Sequence, residues 1–82
     1  MKPRITRIKR IMIGTATIEQ YNKESVLMWN FYPEELNTMH LLGVRNIGDL
    51  LRRYDEIDRL TNHKLFDRLS FITDEAKRLG FI

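Results

Sequence analysis

Nine residues in the middle of the chain, Gly43-Val44-Arg45-Asn46-Ile47-Gly48-Asp49-Leu50-Leu51, leave it little conformational choice. They read as the stop of one helix, a tight connection and the start of the next. Gly43 can take the left-handed backbone that closes a helix. Asn46 is a good N-cap, and Asp49 follows three residues later, where a carboxylate meets free N–H groups and the positive helix end. Leu50 and Leu51 open an apolar face. A connection this short belongs to a small helical module.

The remainder of the chain bounds the alternatives. Its 82 residues make one domain at most. It has no cysteine, so neither disulfides nor thiol chemistry is expected. No apolar run approaches the roughly 20 residues of a membrane span, and the basic start is not followed by a signal-peptide pattern. A cytoplasmic protein with no membrane partner is expected. The net charge is +3, unevenly placed. Residues 1–24 sum to +4 and residues 25–82 to −1. Lys2, Arg4, Arg7, Lys9 and Arg10 give the first ten residues five positive charges and no negative one. Such asymmetry points to nucleic acid or another acidic partner, or to a solvated basic terminus.

Residues 5–18 fit either a strand or a helix. Ile5, Ile8, Ile11 and Met12 have helical spacing, whereas Ile11, Ile13 and Thr15 alternate. β-branched residues and Gly14 favour the strand. Val26, Met28 and Trp29–Phe31 form a second β-rich run, and Asn22-Lys23-Glu24-Ser25 supplies a turn, so a β-hairpin is preferred over a long helix. A first helix starts at Pro33 with Glu34 and Glu35 in its first turn and ends at Gly43. A second runs from about Ile47 to Arg53. Asp55 is expected to cap a third, with Asp58 at the capping-box position. The last should begin near Thr61 or Asn62 and stop at Gly80, with Phe81 folding back on its final turn. The expected core is Trp29, Phe31, Leu36, Met39, Leu42, Ile47, Leu50, Leu51, Ile57, Leu60, Leu65, Leu69, Ile72, Ala76 and Leu79. Tyr54 is expected to be an exposed aromatic. The fold class is thus α+β or mainly α. It is one domain, with a basic β-rich segment over residues 1–28 and a compact four-helix module over residues 29–82.

Trp29 and Phe31, the helix from Pro33, Gly43-Val44, Asn46-Ile47-Gly48-Asp49-Leu50-Leu51 and Leu79-Gly80-Phe81 follow a known order and spacing. Residues from about 29 to 82 resemble the C-terminal domain of the bacterial RNA polymerase α subunit, a helix-hairpin-helix-like unit. The resemblance implies a four-helix fold, contact with A·T-rich minor groove, and contact with transcription factors. It carries Asn37 over as a DNA-contact position. It places His63-Lys64-Leu65-Phe66-Asp67-Arg68 where the family opens its last helix on phosphate, so Lys64 and Arg68 are candidates. Glu34 stands where the family has an arginine entering the groove, Leu65 where it has a glycine and Asp67 where it has a lysine. These departures shift the expected nucleic-acid contact to the basic segment.

Candidate nucleic-acid residues are therefore Lys2, Arg4, Arg7, Lys9, Arg10, Asn37, Arg45, Lys64 and Arg68. Neither His40 nor His63 has a Ser, Cys or carboxylate at a catalytic spacing. Asp55, Glu56 and Asp58 lack the alternating-oxygen loop of a calcium site. No glycine-rich phosphate loop follows a strand. The chain is read as a non-enzyme without catalytic residues, metal or cofactor. It is expected to be a small binding module in transcription or nucleic-acid transactions. The alternative is a protein-interaction module, with transcription machinery among its partners. A third reading is a structural protein that homodimerises through the free edge of a strand at residues 5–18.

Overall fold

The computed structural model describes residues 7–8 and 11–82, with side chains from Met12 onward. Two short strands, β1 (Arg7–Ile8) and β2 (Ile11–Met12), pair antiparallel with Arg7 opposite Met12 and Ile8 opposite Ile11. Everything after them is helical or connecting. The chain continues through α1 (Ile18–Asn22), a 3₁₀ turn (Val26–Met28), α2 (Pro33–Leu41), α3 (Ile47–Arg52), α4 (Tyr54–Leu60), α5 (Lys64–Arg68) and α6 (Ser70–Arg78). The domain is mainly α. No helix among the described residues is long and apolar enough to cross a membrane.

Local chemistry explains most of these boundaries. Thr17 and Gln20 form a reciprocal capping box at α1. Gln20 N–H donates to Thr17 Oγ1 at 3.2 Å, and Thr17 N–H donates to Gln20 Oε1 at 2.8 Å. At α2, Pro33 takes the first position, and the Glu35 carboxylate turns back to the Tyr32 N–H at 2.7 Å. At α3, Asp49 N–H donates to Asn46 Oδ1 at 2.8 Å. Both glycine stops are double-bonded caps. With Gly43 at φ +75°, Gly43 N–H donates to His40 C=O and Val44 N–H to Met39 C=O. Gly80 at φ +86° repeats the arrangement, with Phe81 N–H reaching Ala76 C=O and the Phe81 ring against the core.

Four expectations about the elements and their ends are corrected. Val26–Met28 does not pair as a strand. Ser25 Oγ accepts the Leu27 N–H at 3.1 Å and closes a 3₁₀ turn instead. Its neighbour Ser25 forms an isolated bridge with Asn46, not with residues 5–18. Residues 18–22, from the end of the expected strand to the start of the expected turn, form α1. Asp55 does not cap the third helix, because α4 already begins at Tyr54, directly after Arg53. The last helix is not continuous from Thr61. The Thr61 hydroxyl bonds back to Ile57 C=O at 2.8 Å, Asn62 and His63 adopt φ of 54° and 65°, and Leu69 (φ −117°, ψ 60°) separates α5 from α6.

The core lies around α3, which packs against α1, α4 and α6. Ile47, Leu50, Leu51, Ile57, Leu65, Ile72 and Met39 are fully buried, as read from their spacing. Leu36, Leu42 and Leu79 are half-buried at its margin. Leu60 is 59% exposed and lies outside the core. Tyr54 is buried, stacked on Phe66 with ring centroids 4.2 Å apart, its hydroxyl 2.6 Å from Thr73 Oγ1. Trp29 joins Phe31, Tyr21 and Phe71 in a second aromatic group.

Candidate nucleic-acid interface

The fold brings some of the candidate residues together. Lys64 opens α5 and Arg68 closes it, and both line a cleft of about 370 Å³ between the start of α2 and the corner joining α4 to α5. Glu34 and Glu35 line it from α2, and Tyr32 and Leu60 stand exposed at its mouth. Asn37 is exposed on α2. Arg45 is elsewhere, in a groove between the 3₁₀ turn and α2 beside Leu27, Leu36 and His40. Arg7 belongs to β1 by its backbone. Lys2, Arg4, Lys9 and Arg10 lie outside the described residues.

The cleft does not present a cationic face. The Arg68 guanidinium bonds the buried Glu35 carboxylate and the Asn30 carbonyl, and it stacks 4.1 Å from the centre of the Tyr32 ring. Its charge is compensated inside the fold. Glu34 offsets Lys64 across the same opening. Leu65 is fully buried on the cleft floor, so its backbone is not presented for close approach to a phosphate.

The same compensation recurs over the body. Arg52 pairs with Asp49 at 3.1 Å and Arg53 with Glu56 at 3.0 Å. Arg53 also caps the carbonyl of Leu42, and its hydrogen bonds hold the Glu56 carboxyl below the usual range. Asp58 receives His63 Nδ1 at 2.7 Å, which restrains the left-handed backbone before α5. Within the acidic run Asp55, Glu56, Asp58, the last two carboxylates thereby take different partners. No group of three His, Cys, Asp or Glu side chains among the described residues is arranged to hold a metal ion.

The most connected polar group was not singled out in the sequence. Glu75 is 4% exposed. Its carboxylate receives Arg78 Nε at 2.9 Å, Arg78 Nη2 at 2.7 Å, the Tyr21 hydroxyl at 2.7 Å and the Gly14 N–H at 3.1 Å. Arg78 Nη2 also donates to Ala16 C=O at 2.6 Å. Arg78, then Tyr21 and Gly14, hold the Glu75 carboxyl at about 2 despite the opposing effect of burial. Burial, then Glu75, pushes the Tyr21 hydroxyl well above its ordinary value. The sequence signal was a Glu–Arg pair three residues apart near a helix end, which reads equally as surface helix chemistry.

No family model, characterised protein or solved structure matches this chain.

Proposed function

We propose that this chain is a small non-enzymatic binding module of transcription or other nucleic-acid transactions, contacting nucleic acid through its basic N-terminal segment. The carrying observation is the partition of charge. On the helical body Arg52, Arg53, Arg68 and Arg78 each sit in an ion pair with a carboxylate of the same fold. Residues 1–10 hold five cations and no anion in sequence. A polyanion is therefore attracted mainly to that segment, through Lys2, Arg4, Arg7, Lys9 and Arg10. The resemblance to the polymerase α C-terminal domain supports the transcription setting.

Anisotropy of labelled A·T-rich and G·C-rich duplexes, single-stranded DNA and RNA across a salt series tests the reading. Neutralising five phosphates on a duplex corresponds to a log–log salt slope of about −4.5, at about 0.9 per phosphate. Arg4→Glu with Arg7→Glu should abolish binding. Absence of binding to all four at low salt refutes the reading. Exposed Leu60 and Tyr32 at the mouth of the α2–α5 cleft favour protein recognition as the second reading. There the charge reversals leave partner binding intact.

A further inference from the structure

We infer that Glu75 and Arg78 are positioning residues for the basic segment, gripping the backbone at Gly14 and Ala16 and so fixing how β2 and the paired strand bearing Arg7 leave the helical body. The inference rests on the reading of that segment as the nucleic-acid contact.

The grip has two points of attachment. Glu75 Oε1 accepts the Gly14 N–H at 3.1 Å, and Arg78 Nη2 donates to Ala16 C=O at 2.6 Å. One point permits pivoting; two points, two residues apart, do not. Both are main-chain groups, so what they fix is backbone direction. The segment between the grip and the strands is tight. Thr15 and Ala16 N–H groups both donate to Met12 C=O, and Gly14 turns at φ +104°. Met12 is the strand partner of Arg7. An unbroken path of hydrogen bonds thus runs from α6 through Gly14 and Ala16 to Met12 and to the strand bearing Arg7.

A buried ion pair is weak evidence for stability in itself, since desolvation offsets much of the attraction. Glu75 and Arg78 also do more than cancel each other's charge, because both reach the same loop. With the strand bearing Arg7 held in place before binding, the segment avoids part of the ordering cost that a loose one meets on binding. The number of phosphates it neutralises stays the same, and with it the salt slope.

Three proteins separate positioning from structure: wild type, Glu75→Gln and Tyr21→Phe. The amide in Glu75→Gln disrupts the pair. Tyr21→Phe removes a bond to the same carboxylate but leaves both backbone contacts. Each is titrated against a 20-base-pair duplex at a temperature where circular dichroism shows it folded. Gly14 amide exchange is followed by NMR. Glu75→Gln should accelerate Gly14 exchange and weaken duplex affinity about tenfold with the slope unchanged. Tyr21→Phe should change neither. Should Glu75→Gln not fold, Arg78→Lys takes its place, because one ammonium on a shorter reach cannot reproduce the fork that holds both Glu75 and Ala16. Faster exchange with wild-type affinity shows a purely structural pair and overturns the inference, as does unchanged exchange. If the wild type binds neither duplex nor single-stranded DNA or RNA at low salt, the reading of the segment falls and this inference with it. If it binds and the variants match it, only the inference falls.

Discussion

A single methyl group at Gly48 tests how α1 and α3 fit. Gly48 is buried in the first turn of α3. A Cβ there would lie 1.9 Å from Asn22 Oδ1, 3.0 Å from Asn22 Cγ and 3.2 Å from Asn22 Cα. The first two atoms belong to a side chain whose buried Oδ1 has no hydrogen-bond partner to lose on moving. The third is backbone and yields only if α1 shifts. Overpacking of this kind costs about 1–3 kcal/mol, and alanine in place of helical glycine returns up to about 1 kcal/mol. Gly48→Ala should therefore lose about 1–2 kcal/mol. Asn22→Ala removes the two nearest obstacles and leaves only the close approach to the main chain at position 22. In that background Gly48→Ala should be close to neutral, which corresponds to a coupling of about 1–2 kcal/mol in a double-mutant cycle. Urea unfolding of the four proteins, followed by fluorescence of the single tryptophan, Trp29, measures it. Equal losses in both backgrounds, or a Gly48→Ala protein as stable as wild type, refute the account of Gly48 as the point of closest approach to Asn22.

Acid should weaken the fold through Glu75. Its folded value of about 2 lies below the ordinary 4.5, so the stabilisation is complete above about pH 4.5 and is lost as pH falls towards 2. The span corresponds to about 3 kcal/mol, absent from Glu75→Gln, and urea midpoints between pH 2 and 7 show it. Asn46→Ala removes the acceptor for the Asp49 N–H and should cost about 1 kcal/mol, whereas Asn46→Gly should cost only a few tenths. Thermal unfolding of the two variants separates them, and equal losses would argue against the cap. Asn62→Gly relieves a left-handed backbone at φ 54° and should raise stability by up to about 1 kcal/mol, read as a higher melting temperature.

The parts of the fold legible in sequence are those that local chemistry decides. Pro33 and Glu35, the Asn46 cap, and the glycine stops at Gly43 and Gly80 act within four residues of themselves, and each lies where its chemistry places it. The helical spacing of Ile47, Leu50, Leu51, Ile57, Leu65, Ile72 and Ala76 was enough to identify much of the core. What was misread depends on distant partners. Tyr54 is buried because Phe66, twelve residues on, offers a ring to stack on, and Thr73 takes its hydroxyl. Leu60 continues the stripe of Ile57 but falls at the helix end, beside an opening. The break at Leu69 contains neither glycine nor proline, and the apolar spacing runs through it unaltered. Val26–Met28 is β-rich, yet the Ser25 hydroxyl and the bond from Val26 N–H to Arg45 C=O settle it as a turn. Of the candidate site, the positive charges were visible and their neutralisation was not. Arg68 and Glu35 are 33 residues apart in sequence.

The contacts of Gly14 with Glu75 and of Ala16 with Arg78 join positions 61 and 62 residues apart. Closing a flexible loop of that length is opposed by roughly 4 kcal/mol of chain entropy. One ion pair does not overcome this in an unfolded chain. The helices between must form first and shorten the path, so the grip on the amino-terminal end is made late, on the native side of the folding barrier. Weakening it should speed unfolding and leave refolding nearly untouched, with a φ-value close to zero. The backbone at Gly14 and Ala16 is then the last piece to be attached and the first to be let go.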